Sequence, residues 1–506
     1  MAALVKRIGL VSAFTMLSRV VGLLRDMATS YMLGASVWNS AFITAFTLPN
    51  LFRRLLGEGA LTAALMPNLS EELEERGREA VHELVNKSLS WLVLICLGIT
   101  VLVLAGLELV QNWDVSEKWR LAANLGQIVF PYVLLICVAA ILSAALNLFS
   151  RFGIPALTAV WLNTSIVLSL GIAGWYLGGD LRTKTYWLCG GAMVGGTLQM
   201  LVPAFALAKE GWRPRFDLGI SPRVKEVALL TLPGIFGAAV FQINIMMSRG
   251  LAFSVNDAAA SLLYYANRLV ELPVGVFAIA ISTVVFPSLT AAVAGKRMDE
   301  FSKTYRRGIL LCLLMAVPSA VGLCSLAPEI IGLLFERGLF SDSDTSATVP
   351  LVWVFAIGMP FYSFVSVETR AFYSLKDTRT PVRVAVVAFV VNVCLSLVLM
   401  RVYGAVGLAV ATNFAAIVQS VMLHVSLGRK KLDTSLRELF GDVFRIAVAA
   451  ALMGLAVVSV SGWLSTRCGD GLLGAVFLVM GPILAGILVY FVALQLLGAK
   501  LKRLLN

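Results

Sequence analysis

Residues 88–107 read SLSWLVLICLGITVLVLAGL, bounded by Lys87 and Glu108 with no charge between them. A bilayer's hydrocarbon core is about 30 Å thick, and a helix rising about 1.5 Å per residue crosses it in about 20 residues. The stretch has the length and composition of a membrane-spanning helix. A membrane β-strand would instead show about 10 residues of alternating polarity. Similar continuous runs recur along the whole chain, and we count fourteen, centred near Thr15, Phe46, Cys96, Val138, Ser165, Leu198, Ala238, Phe277, Met315, Phe361, Val391, Ala415, Ala451 and Leu484. Of the 506 residues, 59% are hydrophobic and 14% charged, against roughly 25% charged in a soluble domain. Soluble cores could not hide so much apolar surface. The expected fold class is all-α integral membrane, with 14 transmembrane helices.

The net charge of +12 would suggest nucleic acid in a soluble protein, but its placement says otherwise. The basic residues gather in alternate loops, among them Arg213, Arg215, Lys296, Arg297, Arg429 and Lys430. This is the positive-inside pattern; it sets both termini in the cytoplasm and adds an attraction to anionic membrane lipids. No nucleic acid partner is expected. The seven cysteines are scattered singly, with no disulfide or metal spacing. The N-terminal apolar stretch contains Arg19 and no small-residue cleavage site, so it reads as a retained helix.

Two internal echoes organise the chain. Asn147–Pro155 (NLFSRFGIP) matches Tyr373–Pro381 (YSLKDTRTP) as a helix end, a short basic turn and a proline opening the next helix. Met66–Ser70 (MPNLS) matches Phe286–Thr290 (FPSLT), each read as closing a span. Both echoes are six spans apart, so the halves share one orientation, a parallel repeat of the kind transporters use to hold substrate. The expected domains are 1–215, holding spans 1 to 6; 216–435, holding spans 7 to 12; and 436–506, holding two extra helices.

Charges at membrane depth cost about 2.5–3.5 kcal/mol each on the lenient insertion scale, so they normally face a cavity and serve a function. Span 1 carries Arg19, Arg25 and Asp26; span 2 carries Arg53, Arg54 and Glu58; span 8 carries Arg268 and Glu271; span 10 adds Glu368 and Arg370. Arg19 and Asp26 share a helical face, and Arg268 and Glu271 form an i, i+3 pair. Pro49 and Pro273 predict kinks beside these charges. The bland reading is structural ion pairs or snorkelling side chains. The functional reading is a cationic cavity, and the planar fork of arginine suits phosphate or pyrophosphate.

At these residues the sequence resembles the MurJ (MviN) family of lipid II flippases, within the multidrug/oligosaccharidyl-lipid/polysaccharide (MOP) exporter superfamily. The resemblance covers nearly the whole chain. It rests on SRVVGLLRD from Ser18, AFTLPNLFRRLLGEGALTAALMP from Ala45, YYANRLVELPVGVFAIAISTVVFPSL from Tyr264, LLFERGLFSDSDTSAT from Leu333 and RAFYSLKDTRTP from Arg370. It implies a transporter of the cytoplasmic (inner) membrane, not an enzyme. The cargo would be lipid II, an undecaprenyl-pyrophosphate-linked disaccharide-pentapeptide carried from the inner to the outer leaflet by alternating access for peptidoglycan synthesis. Arg19, Arg25, Arg53 and Arg268 would bind its pyrophosphate, with Asp26, Glu58 and Glu271 beside them, and the last two spans would form a groove for the lipid tail. Two departures stand out. Ser40 replaces a family acidic residue, and a sodium site of some members maps onto Asn244, Asn392, Ser396 and Thr412, none a carboxylate. No cofactor is implied. No phosphate-binding loop of the G-x-x-x-x-G-K-[ST] type is present, which leaves membrane potential or a monovalent ion as the energy source.

Three other functions compete. A cationic-drug exporter should present acids rather than clustered arginines. An enzyme acting on polyprenyl phosphates would need an acidic metal cluster or a catalytic base; there are only two histidines, His82, expected in a loop, and His424, expected at a helix end, and the acids Glu71–Glu75 read as a solvated amphipathic segment. A scaffold is opposed only by the cost of the buried charges.

Overall fold

The computed structural model describes residues 2–57, 60–430, 432–469 and 471–498. These contain helices and no strand: α1 Ala2–Leu33, α2 Val37–Phe52, α3 Ala60–Arg76, α4 Arg78–Asn112, α5 Glu117–Val129, α6 Tyr132–Leu148, α7 Gly153–Ala156, α8 Thr158–Gly171, α9 Leu181–Lys209, α10 Pro222–Val255, α11 Ala259–Ala294, α12 Met298–Ser325, α13 Ala327–Leu334, α14 Asp342–Ser374, α15 Arg379–Gly428, α16 Phe440–Ser465 and α17 Leu472–Leu496. Among the described residues, eleven helical stretches are long and apolar enough to cross a membrane. The expected count was fourteen. The difference has a physical reason: α1 carries the charges Arg19, Arg25 and Asp26, α2 gives way after 16 residues to a π-helical turn, and α15 counts once although two expected centres, Val391 and Ala415, lie on it.

Within α15 the backbone breaks at Gly404, whose φ of 56° and ψ of −132° suit glycine alone. The packing shows how sharp the break is. A Cβ on Gly407 would collide with the carbonyl oxygen of Leu399, whereas eight residues of straight helix span about 12 Å. The chain therefore folds back on itself between the two expected centres.

The opening stretch lies in α4, where Val101 is 65% and Leu102 73% exposed. Large apolar side chains left open along a whole helix face are suited to lipid.

The chain forms two compact units, Met1–Ser261 and Leu262–Asn506. In the first, α8 packs on α1 and α9, α6 on α4 and α9, and α10 on α2 and α3. In the second, α14 packs on α12 and α15, while α16 packs on α12 and α17. Small residues bring these helices close: Gly191 and Gly195 of α9 lie against the α8 backbone, and Gly486 of α17 against Val457. Helix N-termini are capped by side chains, as where Ser221 accepts from Val224 N beside Pro222, and Asp180 accepts from Thr183 N.

The two sequence echoes have matching local geometry. Ser150 and Lys376, aligned in the first, both adopt positive φ, 61° and 59°. Arg151 N donates to Leu146 O at 2.8 Å and Asp377 N to Phe372 O at 3.0 Å, the Schellman closure of a helix end. The same bond closes α9 and α11, at Trp212 and Arg297, so it marks helix ends generally. The second echo needs correcting, since Pro67 and Pro287 lie inside α3 and α11 rather than at their ends. Its members still agree in detail, because Ser70 and Thr290 each donate to the carbonyl four residues back, at 3.0 Å.

Candidate functional site: charged side chains in apolar helices

In the first unit the site begins on α1. Arg25 and Asp26 are neighbours in sequence, and Arg25 folds back so that Nη2 lies 2.6 Å and Nε 3.1 Å from Asp26 Oδ1. Nη1 donates to Asn163 Oδ1 of α8 at 3.1 Å. Asp26 is 2% exposed and Arg25 20%. The carboxylate neutralises the cation and the amide holds its direction, so one guanidinium of α1 is oriented. Arg19, two turns earlier, is half-buried. Sequence spacing placed Arg19 and Asp26 on one face; in the folded unit the carboxylate engages Arg25.

Pro49 lacks the amide that would bond one turn back, and four residues later the helix widens into the π turn Arg53–Gly57. Such turns occur often at functional sites. Arg53 is half-buried and donates from Nε to Asn50 Oδ1 at 3.2 Å, whereas Arg54 is exposed. Glu58 lies outside the described residues. Ser40, the residue in place of a family acid, is fully buried and bonds Ser261 Oγ at 3.2 Å.

In the second unit, Arg268 Nη1 lies 3.7 Å from Glu271 Oε2, and Asn267 donates to Glu271 Oε1 at 2.7 Å. The i, i+3 pair expected from the sequence is formed, with Glu271 57% exposed. Arg268 and Pro273 both lie within the continuous α11.

The four sodium-site positions fall on α10 (Asn244) and α15 (Asn392, Ser396, Thr412). Asn392 and Ser396 are buried and 3.5 Å apart, but Thr412 gives its hydroxyl to Leu408 O of its own helix. Among the described residues no group of three or more His, Cys, Asp or Glu is placed to hold a metal.

The residues that sequence reading overlooked are the amides Asn163, Asn50 and Asn267, each bonded to one of the site's charges. The signal for Asn163 is a polar side chain in an apolar run, weaker than a formal charge. The acids Glu71–Glu75 are also less solvated than expected. Glu72 is 5% exposed, and Arg223 at the start of α10 pairs with Glu71, Glu72 and Glu75.

Residues 29–477 match the family model of lipid II flippase MurJ. The chain belongs to the MurJ family of lipid II flippases. A probable lipid II flippase MurJ from Vibrio cholerae is 31% identical over 98% of this chain and 96% of its own length. Lipid II flippase MurJ from Burkholderia cenocepacia is 29% identical over 83% of each. A solved structure of lipid II flippase MurJ, in an inward closed conformation, superposes with a TM-score of 0.79 at 26% identity, covering 97% of this chain and 99% of that one. A multidrug resistance MATE family transporter of the MOP superfamily, solved facing inward, shares the fold at a TM-score of 0.67 and 14% identity, over 84% of this chain and 99% of its own. MurJ family members are membrane transporters; they relocate a lipid and do not catalyse a chemical reaction.

Proposed function

We propose that this chain carries lipid II from the inner to the outer leaflet of the cytoplasmic membrane by alternating access, with Arg19, Arg25, Arg53 and Arg268 binding the pyrophosphate. The observation that carries this reading is Arg25, a guanidinium within an apolar helix, fixed by Asp26 and Asn163. A fork fixed in direction loses less freedom when it takes a phosphate oxygen pair. The reading includes fourteen crossings, cytoplasmic termini and the division at 1–215, 216–435 and 436–506. The lipid tail stays in the bilayer, riding the apolar surface of α16 and α17, where Leu455, Leu473, Leu484 and Leu488 are exposed. Energy comes from the membrane potential, worth about 2.3 kcal/mol per charge per 100 mV, which favours outward movement of an anionic cargo. The neutral oxygens at Asn244, Asn392, Ser396 and Thr412 suit a hard cation less well than carboxylates would.

The test is replacement of Arg25 or Arg268 by Ala, scored at normal abundance in cells depleted of their own flippase. Growth should fail, and labelled lipid II should stay protected from an external probe. Full complementation by both variants would remove the arginines from the reading. Arg25→Lys, which keeps charge but loses the fork, should rescue only weakly.

A further inference from the structure

We propose that Glu368 is a proton-binding site of the second unit, loaded and unloaded through Tyr305 and His424. This goes beyond the lipid-carrying role and does not depend on it. Glu368 lies six residues from the end of α14 and is 2% exposed. Its Oε1 accepts from Ser420 Oγ at 3.1 Å and faces Tyr305 OH at 3.5 Å, while Oε2 is buried with no hydrogen-bond partner. Tyr305 OH is 2.8 Å from Nδ1 of His424, whose ring is half-buried. A carboxyl, a phenol and an imidazole thus form a chain from a sealed interior to the edge of the unit.

Among the described residues no cation is paired with the carboxyl. The buried ionisable groups of α12 are Tyr305, Cys312, whose thiol donates to Ser363 O at 3.8 Å, and Arg306, whose guanidinium is taken by Asp433 and Glu438 at 3.1 and 3.2 Å. The α11 segment packed here, Ile281 to Ala292, has no ionisable side chain. On α14 itself Arg370 sits over the Phe286 ring, and beyond α15 Lys430 is paired with Asp377 at 2.8 Å. An ionised carboxylate with an empty oxygen in such an interior is costly, whereas a carboxylic acid is tolerated there and gains its negative charge only when a proton leaves.

The relay balances. The Glu368 Oε1–H bond breaks as an O–H bond forms at Tyr305, whose own hydroxyl proton passes to His424 Nδ1. Carboxylic acid and neutral imidazole become carboxylate and imidazolium, and imidazolium can release the proton outside the unit. The reverse sequence reloads Glu368. Histidine changes charge between about pH 5 and 8, so the chain exchanges protons near neutrality.

Infrared spectroscopy of the purified full-length protein in lipid nanodiscs, free of lipid II, tests this. Protein labelled with ¹³C at glutamate carboxyls should show a label-sensitive neutral-acid carbonyl band that persists through neutral pH, fades as the pH is raised further and is lost in Glu368→Gln. After a pH jump the band should respond several-fold more slowly in Tyr305→Phe. If Glu368→Gln does not accumulate, Glu368→Asp serves, since its band would lose sensitivity to the glutamate label. No Glu368-dependent band, a band unchanged from neutral to alkaline pH, or one abolished by sodium at constant pH would each overturn the proposal. None of these outcomes bears on the arginines.

Discussion

Arg25 and Asp26 show how a buried charge is made tolerable one residue at a time. A lone guanidinium there would seek water; beside a buried carboxylate and the Asn163 amide it is held in place. Removing one partner of a buried pair leaves the other charge uncompensated, which costs about 3–5 kcal/mol. The cost here should fall near the lower end, because Arg25 is 20% exposed and keeps Asn163. Asp26→Ala is therefore expected to lower stability by about 3 kcal/mol, read as a lower unfolding temperature in detergent, and Asp26→Asn by less because it keeps an acceptor. Unchanged stability in Asp26→Ala would mean the carboxylate does not hold Arg25. The same chemistry explains how the site was legible. Formal charges in apolar runs are conspicuous, so Arg25, Arg53, Arg268 and Glu271 could be named from sequence. Asn50 and Asn267, three and four residues from their partners, were within reach of helix spacing, but Asn163 was not, because it lies 138 positions from Arg25 in sequence and only packing of α8 on α1 joins them.

Between neighbouring elements the decisive features are interruptions. Periodicity and length place helices correctly around all fourteen expected centres, because lipid requires every backbone group to be bonded within its own segment. What they cannot place are the breaks. Pro49 signals one, yet its result, a π turn at Arg53–Gly57, depends on how α10 and α6 pack around it. Gly404 is one glycine among 42, and only its backbone angles distinguish it. An alanine there would hold a conformation costing about 1–3 kcal/mol, and at Gly407 it would strike the Leu399 carbonyl. Gly404→Ala should destabilise the protein by that amount, and Gly407→Ala should reduce the folded fraction further, both measured by size-exclusion chromatography after heating. A Gly404→Ala protein as heat-resistant as the parent would show that the reversal in α15 does not need the left-handed angle. Pro67 and Pro287 teach the converse lesson: the residues matched between spans, but proline's habit of ending helices misplaced the boundaries, since both helices run on past them.

For the whole molecule, the basic loops make a claim that neither unit makes alone. If positive charge holds loops in the cytoplasm, then Arg297, Arg429 and Arg213 lie on one side, and the loop between α16 and α17, with Cys468, lies on the other. The native cysteines make this measurable. Cys96, Cys137, Cys189 and Cys312 are buried, Cys394 is exposed along the apolar α15, and Cys324 and Cys468 are partly accessible near helix ends. A thiol reacts as its thiolate, which forms readily only where water reaches it, so a membrane-impermeant maleimide added to intact cells should find Cys468. In a Cys324→Ser background Cys468 should account for the labelling, and Cys468→Ser should abolish it. Lys296→Cys or Arg429→Cys in the doubly substituted protein should label only after the membrane is opened. Labelling of Cys468 together with an engineered cysteine at 429 in sealed cells would place both on the outer face. One crossing, α16, is expected between positions 429 and 468, so such a result would break the fourteen-span topology and detach the direction of transport from the charge pattern.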